Sequence, residues 1–290
     1  MKVIELSKER INNLERLQIN KGSIATEADL YIFYYNKIKY ILKELYPFEY
    51  IKYENKLRTL LSIEANSSII PDYFVKPMLF VSNGEAINYW GSNFIRGINL
   101  DIILNNEKIP FEIKKKNLIR IGSILKEMDD IRRNTSLKDF YIGDLHESNF
   151  IVDKNGQLLI CDLDSIKING NKSSNAKYLT PFSLFNKIDL SDKYKNDLSI
   201  NRVGDYVANK NTDLYCYMMI LLNFITNRRV NNIEIKNFYN YLNYFGDIGI
   251  NNNLIEAFSR ILSSDDNINP YEYVDTLSNK QISQVRVKKL

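Results

Sequence analysis

Apolar and polar positions in the first third of the chain predict a small antiparallel sheet. Residues 29–35 and 38–42 are rich in tyrosine, phenylalanine and isoleucine, which favour β-strands. Asn36 and Lys37 separate the two runs. A short polar break between two strand-like runs is typical of a β-hairpin, so we expect these segments to pair.

Two further strand-like runs and two helical patterns surround this hairpin. Residues 71–82 and 85–95 are strand-like on either side of an Asn-Gly turn. Residues 48–63 place apolar side chains at helical spacing with charged residues between them, and residues 7–17 repeat this spacing. The predicted order is helix, strand, strand, helix, strand, strand.

Helical spacing dominates the rest of the chain. The predicted helices cover residues 100–104, 110–132, 211–226, 233–245 and 253–262. Residues 281–290 are basic, and we expect this tail to be mobile. The pattern predicts an α+β protein with a β-rich first part and a helical second part.

The stretch YIGDLHESNFIVDKNGQLLICDLDS holds the most informative chemistry. Its apolar runs 150–153 and 158–161 are joined by a Lys-Asn-Gly turn, which predicts a hairpin. Asp144 and Asn149 precede the hairpin and Asp162 follows it, so the fold brings loop and strand end together. Carboxylate and amide oxygens suit Mg²⁺, because hard cations prefer oxygen ligands.

This ordered set resembles the catalytic and metal-binding loops of protein kinases and of the related phosphotransferases that modify antibiotics. The shared spacing is D-x-x-x-x-N, two strands, then D-x-D. The resemblance implies that Asp144 is the catalytic aspartate and that Asn149 and Asp162 bind Mg²⁺ beside ATP. The alternative is a polar hairpin with solvated turn acids, and the ordered set favours the kinase-like interpretation.

The resemblance also assigns a lysine and a glutamate in the first part. Tyr40-Ile-Leu-Lys43 is similar to the V-A-I-K strand, which implies that Lys43 holds nucleotide phosphates. Glu54, on the predicted helix, matches the glutamate that pairs with this lysine. Competing candidates are Lys37 and Lys39 for the lysine, and Glu49 and Glu64 for the glutamate.

Further nucleotide contacts follow from the same resemblance. Gly22 and Ser23 match the loop over the phosphates, although this loop has one glycine where the family pattern has up to three. Asn93, Phe94 and Ile95 resemble the hinge whose main chain bonds the adenine edge. The implied fold is bilobal and kinase-like.

The domain boundary is expected at this hinge. The resemblance implies a β-rich N-lobe at residues 1–95 and a helical C-lobe at residues 96–290.

The catalytic loop departs from the protein-kinase form. Ile142 and Gly143 replace the histidine and arginine of H-R-D, which argues against activation through a phosphorylated loop. The sequence Gly-Asp-Leu-His resembles the corresponding motif of antibiotic phosphotransferases. His146 either touches the transferring phosphate or fills the loop.

Later residues resemble protein kinases again. Residues 178–182 are similar to the A-P-E segment, with Pro181 kept and Phe182 in place of the glutamate. Asp213 begins a long apolar helix and matches the family aspartate that braces the catalytic loop. The alternative is that Thr212 or Asp213 is simply a helix cap, and the two interpretations are compatible.

Composition narrows the functional classes. The chain has 290 residues, 44% hydrophobic content and a net charge of +4, which supports globular folding and gives no reason to expect nucleic-acid binding. Cys161 and Cys216 show no disulfide or metal spacing. No apolar signal region or membrane-spanning run is present, so we expect a cytoplasmic protein.

The most favoured function is an ATP- and Mg²⁺-dependent Ser/Thr protein kinase acting on a protein substrate. The first alternative is a kinase with a small-molecule acceptor of the aminoglycoside type. The second is a pseudokinase that binds nucleotide or a partner without transferring phosphate.

Overall fold

The computed structural model describes residues 2–17, 29–45, 50–170, 208–227, 235–262 and 268–287. The chain divides into two compact units. The first unit contains Met1–Ile98 and Ser148–Asp164, and the second contains Asn99–Glu147 and Ser165–Leu290. The structure mixes a sheet with several helices, which confirms the α+β prediction at this level.

The first unit is built on a six-stranded sheet with the order β1-β5-β6-β4-β3-β2. Only the β1–β5 pair is parallel among these described pairings. The strands are β1 (Val3–Glu5), β2 (Glu15–Arg16), β3 (Leu30–Tyr35), β4 (Ile38–Glu44), β5 (Leu79–Ser82) and β6 (Ile87–Asn93). The helices of this unit are α1 (Lys8–Asn12) and α2 (Tyr50–Ala65).

The predicted hairpin of β3 and β4 is confirmed. Its two turn residues are both left-handed, with φ of 48° at Asn36 and 65° at Lys37. Positive φ at both central residues is the geometry of a type I′ turn, whose twist matches that of the flanking strands. The predicted order of strand, strand, helix, strand, strand is also found, as β3, β4, α2, β5 and β6.

Two predicted boundaries in this unit were wrong. The helix expected over residues 7–17 ends at Asn12, because Glu15 and Arg16 pair with β3 and extend the sheet. The strand expected from residue 71 begins at Leu79, after two prolines that cannot donate to a sheet ladder. Tertiary pairing decides both boundaries.

The two faces of the sheet are covered by different elements. Tyr40 and Leu42 lie in an apolar cluster with Leu6, against which Ile11 and Leu14 pack. The opposite cluster contains Trp90 and packs against α2; its buried members are Leu45, Leu60, Phe80 and Trp90. Because side chains alternate along a strand, β4 residues next to Leu42 face the α2 side.

A second, three-stranded sheet has the order β7-β8-β9. Its strands are β7 (Gly97–Asn99), β8 (Phe150–Asp153) and β9 (Leu158–Ile160), and β8 and β9 form the predicted antiparallel hairpin. Ile160 donates its N–H to Tyr73 (2.8 Å) and accepts from Val75 N–H (2.9 Å). These bonds group the β8–β9 hairpin with the first unit, whereas the sequence placed it in the C-terminal domain.

The second unit is helical in its described part. Its helices are α3 (Leu100–Asn105), α4 (Phe111–Asn134), α5 (Lys210–Thr226), α6 (Ile235–Asp247), α7 (Asn252–Leu262), α8 (Tyr271–Val274) and α9 (Asn279–Val287). Helix α5 is buried along almost its whole length, as its apolar sequence predicts.

The expectation of a mobile tail, made for residues 281–290, is wrong for residues 281–287. These residues belong to α9, in which Ile282 and Val285 are buried. Arg286 donates to the carbonyl oxygen of Phe224 at 2.6 Å, near the end of α5. An apolar pair three residues apart therefore outweighs the basic composition of this segment.

Within the described ranges, none of the helices has the length and apolar character required to cross a lipid bilayer.

Candidate functional site

Lys43 lies at the centre of a charged cluster in the first unit. In the β4–β6 ladder it pairs with Trp90, so it faces the α2 side of the sheet. Its Nζ lies 2.7 Å from Oδ1 and 2.8 Å from Oδ2 of Asp162, a residue 119 positions away in the chain. The structure therefore brings together the predicted phosphate lysine and the predicted metal aspartate.

The competing lysines lie elsewhere. Lys37 is in the β3–β4 turn, and Lys39 Nζ lies 4.1 Å from the centroid of the Phe94 ring. Lys39 shares the strand face of Lys43 but is four residues away, a distance of roughly 13 Å along a strand. Of the three candidates, Lys43 is the one that contacts Asp162.

Asp164 extends the cluster to helix α2. Its Oδ2 lies 3.1 Å from Lys43 Nζ and 3.2 Å from Lys56 Nζ, and its side chain is only 2% exposed. Leu163, between the two aspartates, is completely buried, which anchors this segment below the charged groups. Two lysines and two aspartates thus alternate in a nearly buried network.

The electrostatics of this network are strongly coupled. Burial alone lowers the pKa of Lys43, but the charges of Asp162 and Asp164 more than offset it and raise the pKa above its ordinary value. Burial and the neighbouring Asp164 charge raise the pKa of Asp162. Burial also opposes ionisation of Asp164, yet Lys43 and Lys56 reverse this and lower its pKa. Asp164 is therefore the firmly ionised member.

Asn149 lies next to the residue that precedes Asp162. It ends a 3₁₀ turn, Glu147–Asn149, and is buried. Its carbonyl oxygen accepts the N–H of Cys161 at 2.9 Å, which continues the β8–β9 register by one pair. The hairpin therefore fixes Asn149 and Asp162 on adjacent positions of neighbouring strand ends.

The donor set fits Mg²⁺ but not a softer metal. The part of the chain that the structure describes holds no group of three or more His, Cys, Asp or Glu side chains placed to bind a metal ion. One carboxylate and one amide are a typical protein contribution for Mg²⁺, which takes its other oxygens from water and phosphate.

The predicted catalytic loop lies in the second unit, where Asp213 braces it. Asp213 Oδ2 accepts the N–H of Ile142 at 2.9 Å, and Oδ1 accepts the N–H of Gly143 at 3.0 Å. Gly143 has a φ of 79°, which favours glycine immediately before Asp144. The loop-bracing interpretation of Asp213 is confirmed. Helix capping falls to Asn209, which forms a capping box with Thr212.

Asp144 and His146 are close within this loop. His146 Nε2 lies 3.4 Å from Asp144 Oδ2, and both side chains are mostly buried.

Burial raises the pKa of Asp213 to about 6, although the N–H groups of Ile142 and Gly143 act in the opposite direction. The loop is therefore held by a carboxylate that protonates in a mildly acidic range.

The predicted Lys43–Glu54 pair is not the pair that forms. Glu54 lies 3.3 Å from Arg58 one helical turn away, and the described ion pairs of Lys43 are with Asp162 and Asp164. Residues two apart on a helix do not share a face. Lys56 reaches the cluster from α2, so Glu54, two residues before it, lies on a different face of the helix.

One main-chain group of the predicted hinge already forms a hydrogen bond within the sheet. Asn93 ends β6, and the Phe94 N–H donates to the carbonyl oxygen of Lys39 at 3.1 Å. Phe94 N–H is therefore bonded within the sheet, and Ile95 follows without regular structure. Gly22, Ser23 and residues 178–182 lie outside the described residues.

The cysteines are not activated nucleophiles. Burial raises the pKa of Cys161 to about 12 and also raises the pKa of Cys216. Both thiols are free. Since the thiolate is the reactive form, these residues serve as small apolar side chains.

Sequence reasoning missed Lys56 and gave Asp164 no role. Both could have been found from spacing. Lys56 lies at i−4 and i−7 from the buried residues Leu60 and Ile63, which places it on the packed face of α2. Asp164 lies two residues after Asp162.

Comparison with known proteins assigns no family to this chain. No protein-family model matches the chain, and no curated protein matches it significantly. The kinase resemblance therefore depends on the residues themselves.

Proposed function

We propose that this protein is an ATP- and Mg²⁺-dependent phosphotransferase with a kinase-like bilobal fold. It transfers the γ-phosphate of ATP to a hydroxyl group, with a Ser/Thr side chain of a protein as the favoured acceptor. The observation that supports this most is the contact of Lys43 with both carboxylate oxygens of Asp162 at 2.7 and 2.8 Å. The residues that the resemblance assigns to phosphate and to metal are therefore neighbours, although 119 positions separate them in the chain.

Each residue of the first unit has a distinct role in this proposal. Lys43 supplies a compact positive charge for the phosphates, and its low exposure strengthens that attraction. Asn149 and Asp162 would hold Mg²⁺ through their oxygens. The metal would neutralise phosphate charge, which is the main requirement of phosphoryl transfer.

The Lys43–Asp162 pair also prepares the lysine for an anion. The ion pair with Asp162 already restricts the Lys43 side chain. Lys43 would therefore lose less conformational freedom when phosphate oxygens replace Asp162 as acceptors of its ammonium N–H groups. Asp164 is a second ion-pair partner of Lys43, and this pair would be retained during such an exchange. The lysine therefore never lacks a counter-ion.

Asp144 would orient the acceptor hydroxyl and accept its proton. The N–H groups of the two preceding residues are fixed by Asp213, which limits movement of the Asp144 backbone. Because catalysis in this class is mainly placement and charge neutralisation, such bracing supports the assignment.

The order of elements in the first unit and the bracing of the loop from α5 support the protein-kinase version. Gly-Asp-Leu-His supports the small-molecule version. Asp162→Ala in a transfer assay with γ-labelled ATP tests both. We expect labelling to fall at least a hundredfold, while the fold persists because Lys43 keeps Asp164 as a partner.

Asp72→Ala is the matched control, because Asp72 is a fully exposed carboxylate of the same unit. It should transfer phosphate at the wild-type rate. Label on Ser or Thr supports a protein acceptor, and label only on an added small alcohol supports the small-molecule version. Nucleotide binding by the wild type without any transfer, or full turnover by Asp162→Ala, contradicts the proposal.

A further inference from the structure

Asp164 forms ion pairs with two lysines from different elements of the first unit. Lys43 reaches it from β4 at 3.1 Å and Lys56 from α2 at 3.2 Å, and both ammonium groups meet the same oxygen, Oδ2. The lysine side chains are 13% and 17% exposed. One buried carboxylate oxygen therefore joins the strand to the helix.

The helix residue in this connection carries the opposite charge to the one expected from the resemblance. A helix glutamate would contact the strand lysine directly, but the contact from α2 that the structure describes is made by Lys56. Two cations around one anion form a bridge in which the carboxylate is the shared element. Removal of either lysine leaves Asp164 with one fewer partner in a buried setting, where an incompletely paired charge is costly.

We propose that Asp164 is the residue that positions Lys43, and that Lys56 ties Asp164 to helix α2. The position of α2 then sets the direction of the Lys43 ammonium through a shared carboxylate. For its catalytic consequence this inference rests on the proposed function. The bridge itself does not depend on that function.

Asp162 is not available to position Lys43 in the proposed reaction. In the proposed function its oxygens would hold Mg²⁺, and Lys43 would turn to phosphate oxygens in place of Asp162. Asp164 is almost completely buried and has no assigned metal role, so its ion pairs with both lysines would be retained. Lysine has a flexible four-carbon stem, so a fixed anion beside it restricts where the ammonium can lie.

The catalytic test compares Lys56→Met with Lys56→Arg and with Arg58→Met. Arg58 lies on the same helix, is 66% exposed and pairs with Glu54 away from the cluster. We expect Lys56→Met to lower kcat for phosphate transfer at least tenfold with a smaller change in KM for ATP. Lys56→Arg should recover most of the loss, and Arg58→Met should match the wild type.

Two results overturn this role for Lys56. One is wild-type kcat in Lys56→Met. The other is the tenfold loss arising from Glu54→Gln instead, since that result returns the positioning role to the helix glutamate. Should Lys56→Met fail to fold, Lys56→Gln replaces it with the same two outcomes.

A second measurement needs no catalysis. Urea midpoints are compared for Lys56→Met, Asp164→Asn and the double variant. A shared bridge predicts that the double variant unfolds at nearly the same urea concentration as the weaker single variant. Fully additive shifts overturn the bridge. A wild type that transfers no phosphate refutes the proposed function, and this double-mutant cycle still decides the bridge.

Discussion

Asp213 provides a quantitative test of how the loop before Asp144 is held. Its side chain is buried, accepts two backbone N–H groups and has a pKa raised from 3.8 to about 6, chiefly by burial. A raised carboxylate pKa means that the folded state binds the proton more tightly than the unfolded state. The stabilising contribution is therefore present at low pH and is lost as the pH rises from about 4 to about 6.

Asp213→Asn removes this titration and keeps one acceptor oxygen. With the two pKa values above, the Asp213 contribution to the free energy of unfolding falls by about 1 to 2 kcal/mol between pH 5 and pH 7. The wild type should therefore exceed the variant in stability by that much more at pH 5 than at pH 7. The loss of one acceptor for a buried N–H adds a constant cost of about 1 to 3 kcal/mol to the variant.

Urea unfolding of both proteins at pH 5, 6 and 7 measures the difference. Titrations elsewhere in the chain largely cancel in the comparison. A stability difference that does not change with pH, or that grows as the pH rises, would refute the reasoning about Asp213.

Two further substitutions test the packing of each unit. Lys37→Gly should stabilise the protein by about 0.5 to 1 kcal/mol, because Lys37 has a φ of 65° in a type I′ turn; an unchanged or lower urea midpoint contradicts this. Gly122→Ala should destabilise by several kcal/mol, because its Cβ would lie 2.2 Å from Cβ of Tyr271 and 2.8 Å from the Tyr217 ring. Gly246→Ala, with its nearest neighbour at 3.9 Å, is the control and should stabilise its helix by about 0.5 to 1 kcal/mol.

Local turn chemistry explains which strands could be predicted from the sequence. The β3–β4 and β8–β9 hairpins each have a short polar turn between two apolar runs, and the turn alone specifies the pairing. The two residues of β2 carry no such pattern. They are strand because β3 offers an edge beside them, and only the folded structure reveals this.

The grouping of the β8–β9 hairpin with the first unit depends on long-range bonds. Ile160 pairs with residues 73–75, which lie outside the named strands, and nothing in their sequence indicates Ile160 as the partner. Sequence order therefore suggested a boundary at residue 95, while the contacts return a later segment to the first unit.

Several residues of the candidate site could be predicted from the sequence, but the ion pairs between them could not. Lys43, Asn149 and Asp162 could be proposed because motif spacing and strand ends are visible in the sequence, and the structure places Lys43 against Asp162. Glu54 was chosen by analogy, although its position i−4 from exposed Arg58 places it off the buried face. Lys56 lies on the apolar stripe of α2, and helical phase alone would have favoured it.

Calorimetric titration of the protein with ATP, in Mg²⁺ and then in a chelator, tests the central claim most directly. The account predicts saturable binding that requires Mg²⁺ and weakens at least tenfold in both Lys43→Met and Asp162→Asn. Failure of the wild type to bind ATP, or equal affinity in all three proteins, would contradict the assignment of these residues to phosphate and metal.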